Sequence, residues 1–106
     1  AGSIFHLPVI ADAELDATLE ELAAAGCTLL AATAEADVAL WSREAEGHMR
    51  GDVAWVMGSE AHGLSTAARE RVDAQVVIPM RGGAESLNLA AATAVCLFET
   101  VRINRA

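Results

Sequence analysis

The sequence predicts an α/β fold with a mostly parallel sheet flanked by helices. Three short apolar runs of strand length, at 27–33, 53–57 and 76–78, do not alternate with polar residues. Such runs are typical of strands buried on both faces. Segments with helical character separate these runs, and two of the runs lead directly into glycine-containing loops. Alternating strands and helices favour a parallel sheet.

The first helix is predicted from the spacing of its leucines. Leu15, Leu19 and Leu22 recur at three- and four-residue intervals, which places them on one face of a helix. Asp12 can cap its beginning, and Gly26 is a suitable residue to end it. We therefore expect a helix from about residue 13 to residue 25.

The middle of the chain gives weaker signals. Residues 34–48 are polar and irregular in pattern, and Trp41 is expected to fold back onto the core. Gly51 and Asp52 mark a turn before the second strand. Ser65 can cap a short helix that runs to about Val72.

The last strand, loop and helix form the most informative stretch. The strand ends at Ile78 before a proline, and Gly82 and Gly83 make the following loop flexible. Ser86 can cap an alanine-rich helix predicted from Leu87 to about Val101. Few polar side chains occur in it before Glu99, so most of its circumference is expected to be buried.

Composition limits the classes of function. The 106 residues suit one domain, and 54% of them are hydrophobic, which argues against disorder. No apolar run approaches the roughly 20 residues that span a bilayer, and no signal peptide is visible. Cys27 and Cys96 lack metal-ligand spacing and are expected to be buried, reduced thiols. These features predict a cytoplasmic protein without a metal.

The net charge of −8 argues against binding of a polyanion. The basic residues are nevertheless unevenly distributed. Several of them flank or precede the last glycine-containing loop, namely Arg69, Arg71, Arg81, Arg102 and Arg105. This end of the molecule is therefore expected to be less unfavourable to nucleic acid than the total charge indicates.

Two glycine-containing loops follow strands, at Gly58 and at 79–83. In open α/β sheets, ligands bind at the carboxyl ends of the strands. The loops match neither a dinucleotide fingerprint nor a phosphate-binding P-loop, and the nucleophile elbow of hydrolases is absent. The residues alone thus predict a small-molecule pocket between two loops and no particular reaction.

Two motifs resemble those of a known family. MGSEAHGLS (57–65) is similar to the second motif of the SpoU (TrmH-like) RNA ribose methyltransferases of the SPOUT superfamily, and IPMRGGAESLNLA (78–90) to their third. AGSIFHLP (1–8) resembles the family segment before its fourth strand, so the resemblance covers the whole chain. It implies an α/β fold with a C-terminal trefoil knot, S-adenosylmethionine as methyl donor and an RNA ribose 2′-hydroxyl as acceptor, in ribosomal or transfer RNA. It also implies a homodimer paired through the knot regions.

The resemblance implies a cofactor site. Gly58 would approach the cofactor with its backbone, and Ile78 and Met80 would offer backbone groups and an apolar wall to the adenine. Leu87 would close the adenine side, and Thr33, at the end of a strand, would line the same pocket.

The resemblance also implies catalytic residues. Glu60 would be the motif-two carboxylate that orders the loops, while Ser86 and Asn88 would hold the loop and help to place the RNA. Structural interpretations stay open beside these roles: Glu60 as an exposed loop acid or a cap, Ser86 as an N-cap, and Asn88 as a surface residue. His62 is favoured as a surface histidine over a catalytic base.

The chain departs from the family at one point. No stretch matches the family's first motif, an Asn followed downstream by an Arg credited with activating or orienting the 2′-hydroxyl. Residues 1–106 are therefore expected to be the C-terminal part of a SpoU-type methyltransferase domain, with its N-terminal part missing. The alternatives are a non-catalytic cofactor-binding or dimerisation module, and a flavodoxin-like binding domain without a knot.

Overall fold

The computed structural model describes residues 15–57, 66–79 and 89–105. Within these ranges the chain forms four helices and four strands that alternate along much of the sequence. In chain order they are α1 (Leu15–Ala24), β1 (Thr28–Ala32), β2 (Val38–Ala39), α2 (Arg43–His48), β3 (Val53–Met57), α3 (Thr66–Arg71), β4 (Ala74–Val77) and α4 (Leu89–Arg105).

All strand pairs of this sheet are parallel, and the spatial order is β2-β4-β1-β3. The central strand β1 pairs with β3 from Thr28 opposite Val53 to Ala32 opposite Met57. On its other side it pairs with β4, where Ala32 lies opposite Val76. The predicted α/β class with a parallel sheet flanked by helices is confirmed. Residues 58–65 and 80–88 lie outside the described ranges, so the trefoil knot stays a prediction.

Helices cover both faces of the sheet and bury two separate apolar clusters. We call the first the α2–α4 face, where seven buried residues pack together: Leu30, Leu40, Ala45, Met49, Val76, Cys96 and Ile103. We call the second the α1–α3 face, where five do so: Leu19, Leu29, Ala31, Val56 and Ala68. Consecutive residues Leu29, Leu30 and Ala31 of β1 alternate between these clusters, as the strand period of two requires.

Helix α1 ends as predicted at a glycine. Gly26 has a positive φ of 95°, a conformation that an L side chain would strain. The amide of Cys27 donates to the carbonyl of Leu22 at 3.0 Å, and the amide of Gly26 donates to that of Ala23 at 3.0 Å. This pair of bonds is a Schellman motif, which satisfies carbonyls at the helix end.

Residues 34–48, which show no regular pattern in the sequence, form two short elements. Strand β2 has two residues and pairs with β4, and Leu40 donates its amide to the carbonyl of Val77 at 2.8 Å. Helix α2 is capped by Ser42, whose Oγ accepts from the amide of Ala45 at 3.1 Å. Both elements are too short for a hydrophobic period to show in the sequence. Trp41 is 59% exposed, and Leu40 is the residue buried in the core instead.

Helix α4 continues four residues past the predicted end, to Arg105. Its circumference is also less buried within this chain than predicted. An exposed stripe at four-residue intervals runs along it through Ala90, Ala94, Phe98 and Arg102, and Phe98 is 76% exposed. The opposite side packs on the sheet through Cys96 and Ile103.

Side-chain hydrogen bonds fasten the C-terminal half of α4. The indole Nε1 of Trp55 donates to Thr100 Oγ1 at 2.8 Å. Asn104 Nδ2 donates to the carbonyls of Met49 at 2.8 Å and Thr100 at 2.9 Å, while its Oδ1 accepts from the amide of Gly51 at 2.8 Å. Helix α4 is therefore attached to β3 and to the turn that precedes it.

Both cysteines are free thiols, with Cys96 buried and Cys27 half-buried. Burial raises the pKa of the Cys96 thiol to about 12, so it stays protonated at neutral pH. The predicted burial is confirmed for Cys96 and is only partial for Cys27. In the part of the chain that the structure describes, no helix has the length and apolar character needed to cross a bilayer.

Candidate functional site

The carboxyl ends of three parallel strands meet at one edge of the sheet. Strands β1 and β3 end together, with Ala32 opposite Met57. The β1–β4 ladder continues one residue further, since the amide of Thr33 donates to the carbonyl of Val76 at 3.0 Å. We call this the carboxyl edge. It is where ligands bind in open α/β sheets.

Thr33 lies at the carboxyl edge, as predicted. It follows β1 directly and is half-buried. Its Oγ1 donates to Gln75 Oε1 at 3.2 Å. Gln75 stands opposite Ala31, between Ala74 and Val76 of the α2–α4 face, so its side chain lies on the α1–α3 face. The hydroxyl of Thr33 is therefore held on that face of the edge.

Ile78 lies at the same edge on the other face. It follows β4, is half-buried and packs against the apolar cluster of the α2–α4 face, as does Met57 at the end of β3. The structure thus brings Thr33 and Ile78 to one edge with a hydroxyl on one face and apolar side chains on the other. A ligand that touches both residues would lie across the end of the sheet.

The other predicted site residues lie outside the described ranges. These are the cofactor-binding candidates Gly58, Met80 and Leu87 and the catalytic candidates Glu60, Ser86 and Asn88. The segments that carry them join β3 to α3 and β4 to α4. Both segments therefore leave the sheet from the carboxyl edge.

Gln75 is a residue near the site that the sequence reasoning missed. Its position in the apolar strand AQVV was the signal that could have identified it. A half-buried amide needs a hydrogen-bond partner, so a glutamine there indicates a polar contact. The partner, Thr33, is 42 residues away in sequence. Nothing local in the sequence indicates that pairing.

Polar contacts also fix helix α3, which follows the second-motif segment. Asp73 Oδ2 accepts from the amide of Leu29 at 2.8 Å. Arg69 pairs with Glu35 of the loop after β1 at 3.5 Å, and Arg71 pairs with Glu20 of α1 at 2.9 Å. The arginine side chains expected to favour a polyanion are therefore partly neutralised by carboxylates of the same chain.

An exposed apolar surface lies beside helix α4 and next to the carboxyl end of β2. A groove of about 460 Å³ is lined there by Leu40, Trp41, Ala94, Val95, Phe98, Glu99 and Arg102. We call it the Trp41–Phe98 surface, since these are the two large apolar side chains among the described residues that remain exposed. Paired exposed aromatic residues are typical of a protein contact surface.

An ion pair lies at the rim of this surface. Arg102 Nε donates to Glu99 Oε1 at 2.7 Å, and its Nη2 donates to Oε2 at 2.9 Å. The hydrogen bond and charge of Arg102 lower the pKa of the Glu99 carboxyl. Both groups therefore stay ionised at neutral pH. Elsewhere, the described residues contain no group of three or more His, Cys, Asp or Glu side chains that could hold a metal.

Comparisons with known proteins identify the family. The model of the SpoU rRNA Methylase family matches residues 1–98. The 23S rRNA (guanosine-2′-O-)-methyltransferase RlmB of Xanthomonas axonopodis pv. citri (strain 306) is 42% identical over 102 residues, which is 96% of this chain and 39% of that protein. The chain thus spans about two fifths of the length of this relative.

Solved structures agree with the family match. The SpoU methyltransferase AviRb from Streptomyces viridochromogenes, solved with AdoMet, has a TM-score of 0.67 and 32% identity, over 87% of this chain and 36% of that one. An AdoMet-bound rRNA methyltransferase from Sinorhizobium meliloti has a TM-score of 0.69 and 31% identity, over 82% and 32%. Since the family model covers most of the sequence and these structures share its fold, the chain belongs to the SpoU rRNA methylase family.

Proposed function

We propose that the protein containing this chain transfers the methyl group of S-adenosylmethionine to a ribose 2′-hydroxyl of ribosomal RNA. In this proposal residues 1–106 are the C-terminal, cofactor-binding part of the methyltransferase domain. The observation that carries it is the meeting of β1, β3 and β4 at the carboxyl edge, from which both family motifs leave the sheet.

The described residues of this edge fit a nucleoside cofactor. Ile78 and Met57 offer half-buried apolar surface suited to an adenine ring on one face of the sheet, and Thr33 offers one hydroxyl on the other face. Pockets of this kind combine apolar walls with few polar groups that set orientation. When bound, S-adenosylmethionine supplies an electrophilic methyl group on a sulfonium centre.

The remaining roles are proposed from the motifs. Gly58, Met80 and Leu87 would complete the cofactor pocket with backbone groups and apolar contacts. The catalytic candidates would act by ordering the loops and placing the RNA, and they are Glu60, Ser86 and Asn88. Catalysis would then depend mainly on orientation and exclusion of water.

Ribosomal RNA is preferred to transfer RNA as the proposed substrate because the curated relatives are named 23S rRNA methyltransferases. The charge of this chain offers little affinity for RNA. Its net charge is −8, and Arg69, Arg71 and Arg102 each pair with a carboxylate. We therefore propose that most of the RNA contacts lie beyond these residues. We also propose that the protein acts in the cytoplasm, where reduced thiols such as Cys96 persist.

We also propose that the protein is a homodimer that pairs through the Trp41–Phe98 surface. Helix α4 follows the third-motif segment and presents Ala94, Phe98 and Arg102 on this surface. A second copy would cover the exposed aromatic side chains of Trp41 and Phe98.

Methyl transfer tests this proposal directly. The full-length protein would be incubated with radiolabelled S-adenosylmethionine and ribosomal RNA that lacks 2′-O-methylation, and the modified position would be mapped by resistance to alkaline cleavage. We expect one ribose to gain the label. Labelling of transfer RNA alone would contradict the substrate class. Cofactor binding without transfer to any RNA would favour the alternative, a non-catalytic cofactor-binding and dimerisation module.

A further inference from the structure

Gln75 is a polar side chain in the middle of β4, surrounded by apolar strand residues. Its neighbours Ala74 and Val76 belong to the α2–α4 face, and Ala31 stands opposite it on β1. A half-buried amide in such a place costs stability unless it is hydrogen-bonded. Its Oε1 accepts the hydroxyl proton of Thr33 at 3.2 Å, so the two residues form a pair across β1 and β4 at the carboxyl edge.

The direction of this hydrogen bond limits what Thr33 can offer a ligand. A threonine hydroxyl has one proton to donate and two lone pairs that accept. The proton is directed at Gln75 Oε1, and the backbone N–H of Thr33 is used by the carbonyl of Val76 at 3.0 Å. Both donors of Thr33 are thus committed within the sheet, and its Oγ1 lone pairs are left to accept.

We infer that Gln75 is a positioning residue of the cofactor site, an inference that rests on the proposed function. By accepting the hydroxyl proton, Gln75 holds Thr33 Oγ1 as a hydrogen-bond acceptor toward the bound cofactor. At this point the pocket then selects an N–H or O–H group of the methyl donor, such as an amino or ribose hydroxyl group, and disfavours a carboxylate. Gln75 itself acts only through Thr33.

Calorimetric titration of the full-length protein with S-adenosylhomocysteine tests the pair through a double-mutant cycle. Thr33→Val and Gln75→Met each remove one partner with little change in volume, and each is expected to raise the Kd about 3- to 10-fold. The double variant should bind no more weakly than Thr33→Val alone, because Gln75 has no route to the ligand without the hydroxyl. Thr28→Val, the same substitution at the amino end of β1, is the matched control and should leave the Kd unchanged.

The outcomes separate a positioning role from a structural one. If Gln75→Met only loosened the sheet, it would weaken binding equally with and without the Thr33 hydroxyl, and the inference would be wrong. Unchanged binding by Gln75→Met would also overturn it, while leaving the proposed function intact. A wild-type protein that does not bind S-adenosylhomocysteine would overturn the proposed function, and the inference with it.

Cofactor analogues then test the acceptor role. Analogues of S-adenosylhomocysteine that lack the adenine amino group, a ribose hydroxyl, the ammonium group or the carboxylate would be titrated into the wild type and Thr33→Val. We expect one of the analogues that lack a hydrogen-bond donor to bind the wild type more weakly than S-adenosylhomocysteine does. The same analogue should bind Thr33→Val as well as S-adenosylhomocysteine does. The analogue without the carboxylate should lose affinity equally in both. If the analogue without the carboxylate instead lost affinity in the wild type but not in Thr33→Val, the inference would be wrong.

Discussion

The two faces of the sheet are held together by different means. The α2–α4 face buries seven apolar residues. It is also held by side-chain hydrogen bonds, one from Trp55 to helix α4 and others from Asn104 of that helix to the turn before β3. The α1–α3 face buries five apolar residues. It is also held by exposed ion pairs and by a hydrogen bond in which a side-chain carboxylate accepts from a backbone amide. Exposed ion pairs contribute little free energy, usually below about 1 kcal/mol.

This difference bears on the two loops of the proposed site. Helix α4, which follows the third-motif segment, has 17 residues and is fastened near its far end by Asn104. Helix α3, which follows the second-motif segment, has six residues and buries only Ala68 among those described. We therefore expect the α1–α3 face, with the Thr33–Gln75 pair, to open more readily than the α2–α4 face.

The largest effect on stability is expected from the core of the α2–α4 face. Leu30 is fully buried there, and Leu30→Ala should lower the free energy of unfolding by about 3 kcal/mol through lost burial and a cavity. Urea denaturation measures this, with Thr28→Val on the same strand as the control. A loss below about 1 kcal/mol would mean that this face relaxes easily and is not the firmer of the two.

The next effect concerns association through the Trp41–Phe98 surface. Phe98 is 76% exposed, so Phe98→Glu should leave the folded chain intact while weakening the proposed dimer about 100-fold, as expected for a central aromatic contact. Light scattering coupled to size-exclusion chromatography would show the change in mass. Ala17→Glu adds the same charge on exposed α1 and should not alter it. A wild-type protein that stays monomeric at high concentration would rule the dimer out.

Much of the fold could be predicted from the sequence, because the patterns that indicate these elements are local. Buried runs without alternation gave β1, β3 and β4, and Gly26 gave the end of α1 through its positive φ. Strand β2 and helix α2 could not be predicted because each is shorter than the window in which a hydrophobic period is visible.

For the candidate site, the positions of some residues could be predicted and those of others could not, for a similar reason. Thr33 and Ile78 were expected at strand ends, and the structure places both at the carboxyl edge. Gln75 was missed because its partner is distant in sequence, and the exposure of Trp41 was missed because an aromatic residue in an irregular segment gives no direction. The pairing of arginines with carboxylates from other elements is likewise a tertiary property.

A smaller effect is expected at the attachment of helix α4. Asn104→Leu removes bonds to the carbonyls of Met49 and Thr100 and to the amide of Gly51, which should cost about 1–2 kcal/mol because these groups are partly solvated. Hydrogen exchange should show reduced protection of the Gly51 amide. Arg105→Ala, on the adjacent exposed position, should change neither quantity. Equal losses from both variants would show that the end of the helix, rather than these bonds, matters.

The smallest effect is expected from the ion pairs, and it depends on pH. Arg102 lowers the pKa of Glu99 below its ordinary value of 4.5, so the pair stabilises the fold above that pH and loses this contribution as the pH falls through the lowered pKa. The stability difference between wild type and Glu99→Gln should therefore be small at pH 7 and disappear in acid. Glu35→Gln, which breaks the 3.5 Å pair on the other face, should have a still smaller effect at pH 7. A Glu99→Gln difference that grows in acid would contradict this assignment.

The central claim is that the carboxyl edge of the sheet binds the cofactor, and an NMR titration tests it most directly. Backbone amide spectra of the protein would be recorded as S-adenosylhomocysteine is added. The largest shifts are expected at the carboxyl ends of β1, β3 and β4, at Thr33, Met57 and Ile78, with little change at Thr28 and Val53 of the opposite edge. Shifts confined to that opposite edge or to the Trp41–Phe98 surface would contradict the account.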